Sequence, residues 1–281
     1  MTVAEALQTG SEALGNASVA SPERESSLLL RHVLQCDAAF LYAHPEHRLN
    51  AVQSILFKAV LKRRASHEPF QYISGVQEFY GLEFEVTPEV LIPRPETEIL
   101  VEAAISEFRD AKEVRFCEIG VGSGCISISI LANLPLAAAI GVDVSGTALN
   151  VARQNAGKHG VAERFGLLES DVFQTVDTAD FDLIVSNPPY VPDTDVETLQ
   201  HEVRSFEPRS ALEGGADGLD IVRRIVEDSP KFLRQKGLLL IEIGWDQSKA
   251  VRELLEPEIW DNVQFLPDLQ GIPRILKAFR R

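Results

Sequence analysis

Val114-Arg115-Phe116-Cys117-Glu118-Ile119-Gly120-Val121-Gly122-Ser123-Gly124 is the stretch on which the fold turns. Residues 114–119 read as a strand, and the glycines that follow close it and open a helix. Glycines at alternate positions let the backbone turn tightly and let a ligand approach it closely. The spacing is GxGxG, whereas a dinucleotide fingerprint is GxGxxG/A, so Cys125 stands where that pattern has its last small residue. Taken alone, such a turn suits NAD, a nucleotide or plain packing. Its surroundings are more specific. Apolar runs near 114–119, 138–142, 166–170, 181–186 and 238–243 alternate with helical stretches, the pattern of a parallel α/β sheet with helices on both faces. Stretches 263–266 and 275–279 can finish the sheet as a hairpin. There is no internal repeat and no low-complexity tract.

Residues 1–66, upstream of this pattern, read as helices. Ser21-Pro22 is a cap followed by Pro at the first helical position, leading into Leu28-Leu29-Leu30 and Val33-Leu34. Asn50 caps another helix, whose Val52, Ile55, Leu56, Ala59 and Val60 follow the i, i+3, i+4, i+7, i+8 pattern of a buried stripe. Lys58, Lys62, Arg63 and Arg64 fall mostly off that stripe and read as a solvated face. From Pro69 the pattern changes. Phe70-Gln71-Tyr72-Ile73 and Leu82-Glu83-Phe84-Glu85-Val86 read as two strands of a hairpin, with Gly75 and Gly81 between them. The expected organisation is a helical domain at 1–68, a hairpin linker at 69–90 and the α/β domain at 91–281.

Composition narrows the function. The 281 residues are 45% hydrophobic and 25% charged, as in ordinary globular proteins. No apolar run approaches the ~20 residues that cross a bilayer. The first ten residues lack the basic and apolar regions of a secretory signal, so a cytoplasmic protein is expected, and a monomer. Cys36, Cys117 and Cys125 make neither a disulfide framework nor a zinc motif, and His44 and His47 read as loop residues, so no metal is expected. Residues 1–72 carry seven basic and seven acidic side chains, so the whole net charge of −15 belongs to the rest of the chain. Such an acidic domain repels phosphate backbones and favours a basic protein partner over direct contact with nucleic acid.

The strand ends carry the chemistry. Glu118, two residues before Gly120, would repel a pyrophosphate but can pair with a cationic amino-acid group. Asp143 ends the second strand and can accept both ribose hydroxyls. Asp171 follows the third, where its side chain and the backbone of Val172 can border an adenine edge. Asn187 ends the fourth. Four polar positions at four consecutive strand ends converge on the crevice where open α/β sheets bind ligands. Adenosine with a cationic amino-acid tail and no phosphate is S-adenosylmethionine. Its sulfonium methyl is electrophilic, so transfer needs alignment of the acceptor rather than a metal or a covalent nucleophile.

Asn187-Pro188-Pro189-Tyr190 marks the acceptor side. The Asn carboxamide offers a carbonyl and an NH2 group, and the prolines remove two backbone donors and fix the local φ. Carbonyl acceptors beside an aromatic face suit a planar group bearing NH2, either an amide or the exocyclic amine of a base. Accepting those hydrogens favours a pyramidal nitrogen and frees its lone pair for attack.

With these residues in view, the chain resembles the bacterial peptide chain release factor glutamine methyltransferases. The resemblance runs through the helical N-terminus, Glu78-Phe79-Tyr80-Gly81, Leu91-Ile92-Pro93-Arg94-Pro95-Glu96-Thr97-Glu98, Glu118 to Gly124, Asp143 and Phe181 to Val191. It continues through Glu207-Pro208-Arg209 and Gly214-Gly215-Ala216-Asp217-Gly218-Leu219-Asp220. It implies an α/β, Rossmann-like class I methyltransferase sheet behind a small N-terminal helical domain and a β-hairpin linker. It implies methyl transfer from S-adenosylmethionine, leaving S-adenosylhomocysteine, to the Gln side-chain nitrogen of the Gly-Gly-Gln motif of class-1 release factors. Gly120, Val121, Gly122, Ser123 and Gly124 would cradle the methionine part, Asp143 the ribose, and Asp171 and Val172 the adenine. Asn187, Pro188, Pro189 and Tyr190 would grip the Gln, with Asn187 and the Pro188 carbonyl as acceptors, while the helical domain and hairpin help hold the release factor. Val121, Cys125 and Val172 depart from the family's usual Thr, Ala and, in some members, Trp. The alternative is an amino-methyltransferase acting on a flipped DNA or RNA base, opposed by the acidic charge and the absence of a basic, aromatic-interleaved segment. A cofactor-binding module without catalysis and an NAD-dependent dehydrogenase are more distant readings.

Overall fold

The computed structural model describes all 281 residues. They form two compact units, one of residues 1–75 with 200–206 and one of residues 76–199 with 207–281.

The larger unit holds the sheet. Its strands are β3 (Val114–Ile119), β4 (Ala137–Asp143), β5 (Phe165–Glu169), β6 (Phe181–Ser186), β7 (Leu233–Glu242), β8 (Trp260–Pro267) and β9 (Pro273–Arg280). Their spatial order is β5-β4-β3-β6-β7-β9-β8. The first five are mutually parallel, and β9 is antiparallel to both β7 and β8. Side chains alternate between the faces as the pleat requires. Phe116, Leu183, Val185, Leu238 and Leu240 enter one apolar core, and Cys117, Ile184, Leu239 and Ile241 enter the other. Both faces are therefore covered, which explains the near-continuous apolar runs of the central strands. The strand order reverses between β3 and β6, and ligand crevices form at such a switch point.

A two-stranded hairpin precedes the sheet, formed by β1 (Val76–Phe79) and β2 (Leu82–Glu85). Tyr80 and Gly81 turn it with φ of 52° and 74°, the positive pair that a two-residue hairpin turn of matching twist requires. The first strand expected at 70–73 is instead a helix, Phe70–Ser74. Pro69 starts it, and Gly75 ends it in the left-handed conformation with φ of 79°. These two local stops outweigh the strand propensity of Phe, Tyr and Ile.

The smaller unit has its own apolar core, centred on Val3, Leu14, Leu29, Leu30 and Phe57. Its longest helix, Ala51–Ala65, begins with the expected Asn50 cap, reciprocated by Gln53. The face it buries differs from the expected one. Phe57, Leu61 and Arg64 are buried, while Val52, Ile55, Leu56 and Ala59 are exposed and Val60 is half-buried. Positions 57, 61 and 64 also share a face. Phe57 offers the largest apolar area and has Gly10 opposite, where a Cβ would lie 3.1 Å from its ring. Arg64 is likewise no solvated residue. It donates to Glu25 and Glu202 at 2.6 Å each, holding residues 200–206 within this unit.

Candidate active site

A cleft opens at the carboxyl ends of the parallel strands, lined by Glu118 to Ser123, Asp143, Asp171, Val172, Asn187 and Pro189 among others. Of the residues expected there, Gly124, Pro188 and Tyr190 do not line it. Gly124 is the N-cap of helix Cys125–Asn133, where an added Cβ would meet Ile128 at 2.9 Å.

Register builds the cleft. Ile119 is paired with Ser186, so Gly120 and Asn187 leave adjacent strands side by side. The Ser186 hydroxyl locks that pairing by donating to the Ile119 carbonyl at 2.8 Å. Gly120 has a φ of 74°, open to glycine and strained for other residues.

Glu118 is fully buried. Its Oε2 accepts from the Ser127 backbone N–H at 3.0 Å, whereas its Oε1 has no partner in the protein. Burial pushes its pKa up to about 8, against the opposing pull of the Ser127 bond. A buried carboxylate oxygen with a vacant lone pair fits a cationic ligand group. The Asp143 carboxylate is aimed by two backbone donors, Gly122 N–H to Oδ2 and Ser145 N–H to Oδ1, each at 2.9 Å. Each oxygen keeps a second lone pair, and desolvation holds the group above the ordinary Asp range. Asp171 is half-exposed and paired with Arg224 at 2.8 Å. Val172 is buried with a φ of 53°, a strained conformation for a β-branched residue that places its backbone at the cleft wall. Vacant Glu118 Oε1, oriented Asp143 and the glycine turn fit the cationic tail, ribose and close backbone approach of S-adenosylmethionine.

Behind Asn187 lies a buried polar network. Asn187 Nδ2 donates to Thr97 Oγ1 at 3.1 Å, and Thr97 Oγ1 donates to Glu242 Oε2 at 2.6 Å. The Tyr190 hydroxyl donates to Glu242 Oε1 at 3.3 Å, and burial raises the pKa of that phenol. Burial lifts Glu242 to about 7, partly offset by its bonds to Thr97 and Tyr190. Tyr190 thus uses its hydroxyl on Glu242.

The remaining sequence motifs hold these groups in place. Glu207 binds the Arg94 guanidinium at 2.5 Å and accepts from Ile92 N–H at 3.3 Å, tying two loops of the cleft rim. Gly214 and Gly218 exist for close backbone approach, since a Cβ would lie 2.8 Å from the Pro189 carbonyl oxygen and 2.3 Å from that of Tyr190. Gln247 Nε2 donates to the Tyr190 and Gly218 carbonyls at 2.9 and 3.2 Å, stitching the same loops. Local sequence assigns no role to Thr97, Glu242 or Gln247: Thr97 lies within Leu91 to Glu98, and Glu242 is legible only as a charge at the end of an apolar strand.

Fold and cleft together define a Rossmann-like class I methyltransferase. Residues 5–75 match the family model described as PrmC N-terminal domain, and residues 96–204 match the Methyltransferase small domain. The release factor glutamine methyltransferase of Geobacter sulfurreducens is 41% identical over 94% of this chain and 91% of its own length. That of Koribacter versatilis is 38% identical over 98% of both chains. Among solved structures, the hMettl16 catalytic domain matches at TM-score 0.59 and 14% identity, covering 95% of this chain and 90% of that one. A methyltransferase from Pyrococcus furiosus matches at TM-score 0.54 and 17% identity, over 78% of this chain and 98% of that one. The chain belongs to the release factor glutamine methyltransferase family.

Proposed function

We propose that this chain methylates the side-chain amide nitrogen of the Gln in the Gly-Gly-Gln motif of class-1 peptide chain release factors. One observation carries the reading: Asn187 and Glu118, at the ends of adjacent strands β6 and β3, line the same cleft. Glu118 Oε1 would take the ammonium of the cofactor's amino-acid tail, Asp143 the ribose hydroxyls, and the Val172 backbone the adenine edge. Bound there, S-adenosylmethionine supplies a methyl group on a positively charged sulfur. The chain's own contribution is orientation. Asn187 Oδ1, on the cleft wall, would accept a hydrogen of the substrate carboxamide. That bond holds the nitrogen and reduces delocalisation of its lone pair, and such alignment with the methyl group lowers the barrier to transfer. The names of the full-length relatives, both release factor glutamine methyltransferases, support this substrate over a nucleobase amine.

The test is mass spectrometry of a purified class-1 release factor incubated with the protein and S-adenosylmethionine. One methyl gained on the Gln of the Gly-Gly-Gln peptide is expected. Asn187→Ala should lower the rate about 10²- to 10³-fold, the usual cost of one transition-state hydrogen bond, with cofactor affinity nearly unchanged. Unmodified peptide with wild-type protein, or full turnover by Asn187→Ala, overturns the reading.

A further inference from the structure

We infer that Thr97 and Glu242 are positioning residues that decide which end of the Asn187 carboxamide faces the cleft. The inference rests on the amide-binding role proposed for Asn187 and concerns how that role is enforced.

A carboxamide is nearly symmetric in shape. Turned one way, Asn187 presents a carbonyl oxygen to the cleft; turned the other way, it presents NH2, which cannot accept hydrogens from a substrate amide. Nothing in the Asn side chain itself chooses. The choice comes from the hydroxyl behind it. Thr97 Oγ1 has a single hydrogen, which it gives to Glu242 Oε2 at 2.6 Å. Only its lone pairs remain for Asn187, so it receives Nδ2–H at 3.1 Å, and Oδ1 is left for the cleft. Glu242 is buried at 2% exposure, and its second oxygen holds the Tyr190 hydroxyl. The acceptor sense of an ionised carboxylate thus passes through one hydroxyl to the residue proposed to touch the substrate.

The charge on Glu242 is therefore the control. Bonds from Thr97 and Tyr190 and the charge of Arg274, itself paired with Asp268, favour its ionised form, Glu96 opposes it, and the Cys125 thiol lies in its field. Burial lifts Glu242 to about 7. Protonated, it becomes a donor. Its proton can occupy Thr97 Oγ1, freeing the Thr97 hydrogen to point at Asn187 and favouring the reversed amide. Turnover at saturating substrates, where cofactor is already bound, should rise with pH through about 7.

The experiment compares Thr97→Val, Thr97→Ser and Glu242→Gln by kcat on a release factor, calorimetric affinity for S-adenosylmethionine, and the pH profile of kcat. Thr97→Val should lose about 10- to 100-fold in kcat, the cost of one oriented buried hydrogen bond, with cofactor affinity unchanged. Thr97→Ser, which keeps the hydroxyl, should recover most of that loss. Glu242→Gln should flatten the pH profile near neutrality. Wild-type kcat in Thr97→Val beside an impaired Asn187→Ala overturns the positioning role and leaves the proposed function standing. Full activity in Asn187→Ala overturns the reading on which both depend. Equal loss of kcat and cofactor affinity in both Thr97 variants marks a merely structural role and also overturns the inference. The Thr97 pair keeps the test decisive if Glu242→Gln fails to fold.

Discussion

At the scale of single residues, Glu118 shows how binding and protonation are coupled. Desolvation disfavours its charged form, and one backbone N–H only partly compensates. A cation delivered to Oε1 reverses the balance, so cofactor binding should release a proton below about pH 8. Glu118→Gln should weaken S-adenosylmethionine about 10- to 100-fold, the loss expected when a buried charged partner is removed. Adenosine, which lacks the amino-acid tail, should bind the variant as it binds the wild type. Calorimetry with both ligands checks this, and equal losses for the two would refute an ammonium contact. Cys125 shows the opposite case of a reactive group with no role in the chemistry. It is buried at a helix start, and desolvation holds its thiol protonated, so it packs as a small apolar residue.

At the scale of elements, helix Ala51–Ala65 shows why periodicity identifies a helix more readily than its buried face. Two apolar stripes run along it, and the alternation fits either. Core shape decides: Phe57 enters the slot at Gly10, while Ile55 stays 68% exposed. Phe57→Ala should cost about 3–5 kcal/mol, the range for deleting a buried aromatic, whereas Ile55→Ser should change stability by less than about 0.5 kcal/mol. Urea denaturation of the full chain measures both, and a reversed order would show that the other stripe is the packed one. Arg64 extends the lesson to charge. Its guanidinium bridges Glu25 and Glu202, residues 39 and 138 positions away, which no local pattern discloses.

At the scale of the whole molecule, burying carboxyls in and behind the cleft sets a pH dependence of stability. Glu118 and Glu242 hold their protons up to about 8 and about 7, against 4.5 for an ordinary Glu. Folding therefore takes up protons. The stabilisation is complete below the unfolded value and is lost as pH rises through the folded ones. The ligand-free protein should melt roughly 5 °C or more lower at about pH 8.5 than at about pH 5.5. The net charge of −15, with a pI near 4.9, acts in the same direction through self-repulsion. Scanning calorimetry of Glu118→Gln/Glu242→Gln separates the two causes, because the double variant should lose the carboxyl part of the slope. An unaltered slope would assign it to net charge alone.

The chain by itself determined the alternation of strands and helices, the glycine turn after Ile119, and the placing of Asp143 and Asn187 at strand ends. All are local: a period of two, a positive φ, a polar residue ending an apolar run. Tertiary structure alone decided which helix face is buried, that residues 70–74 belong to the smaller unit, and which groups stand behind Asn187. Thr97 lies 90 residues from Asn187 and 145 from Glu242. Hydrogen-bond partners at such separations are chosen by strand order and register, which bring distant strand ends together and leave no periodic mark in the sequence.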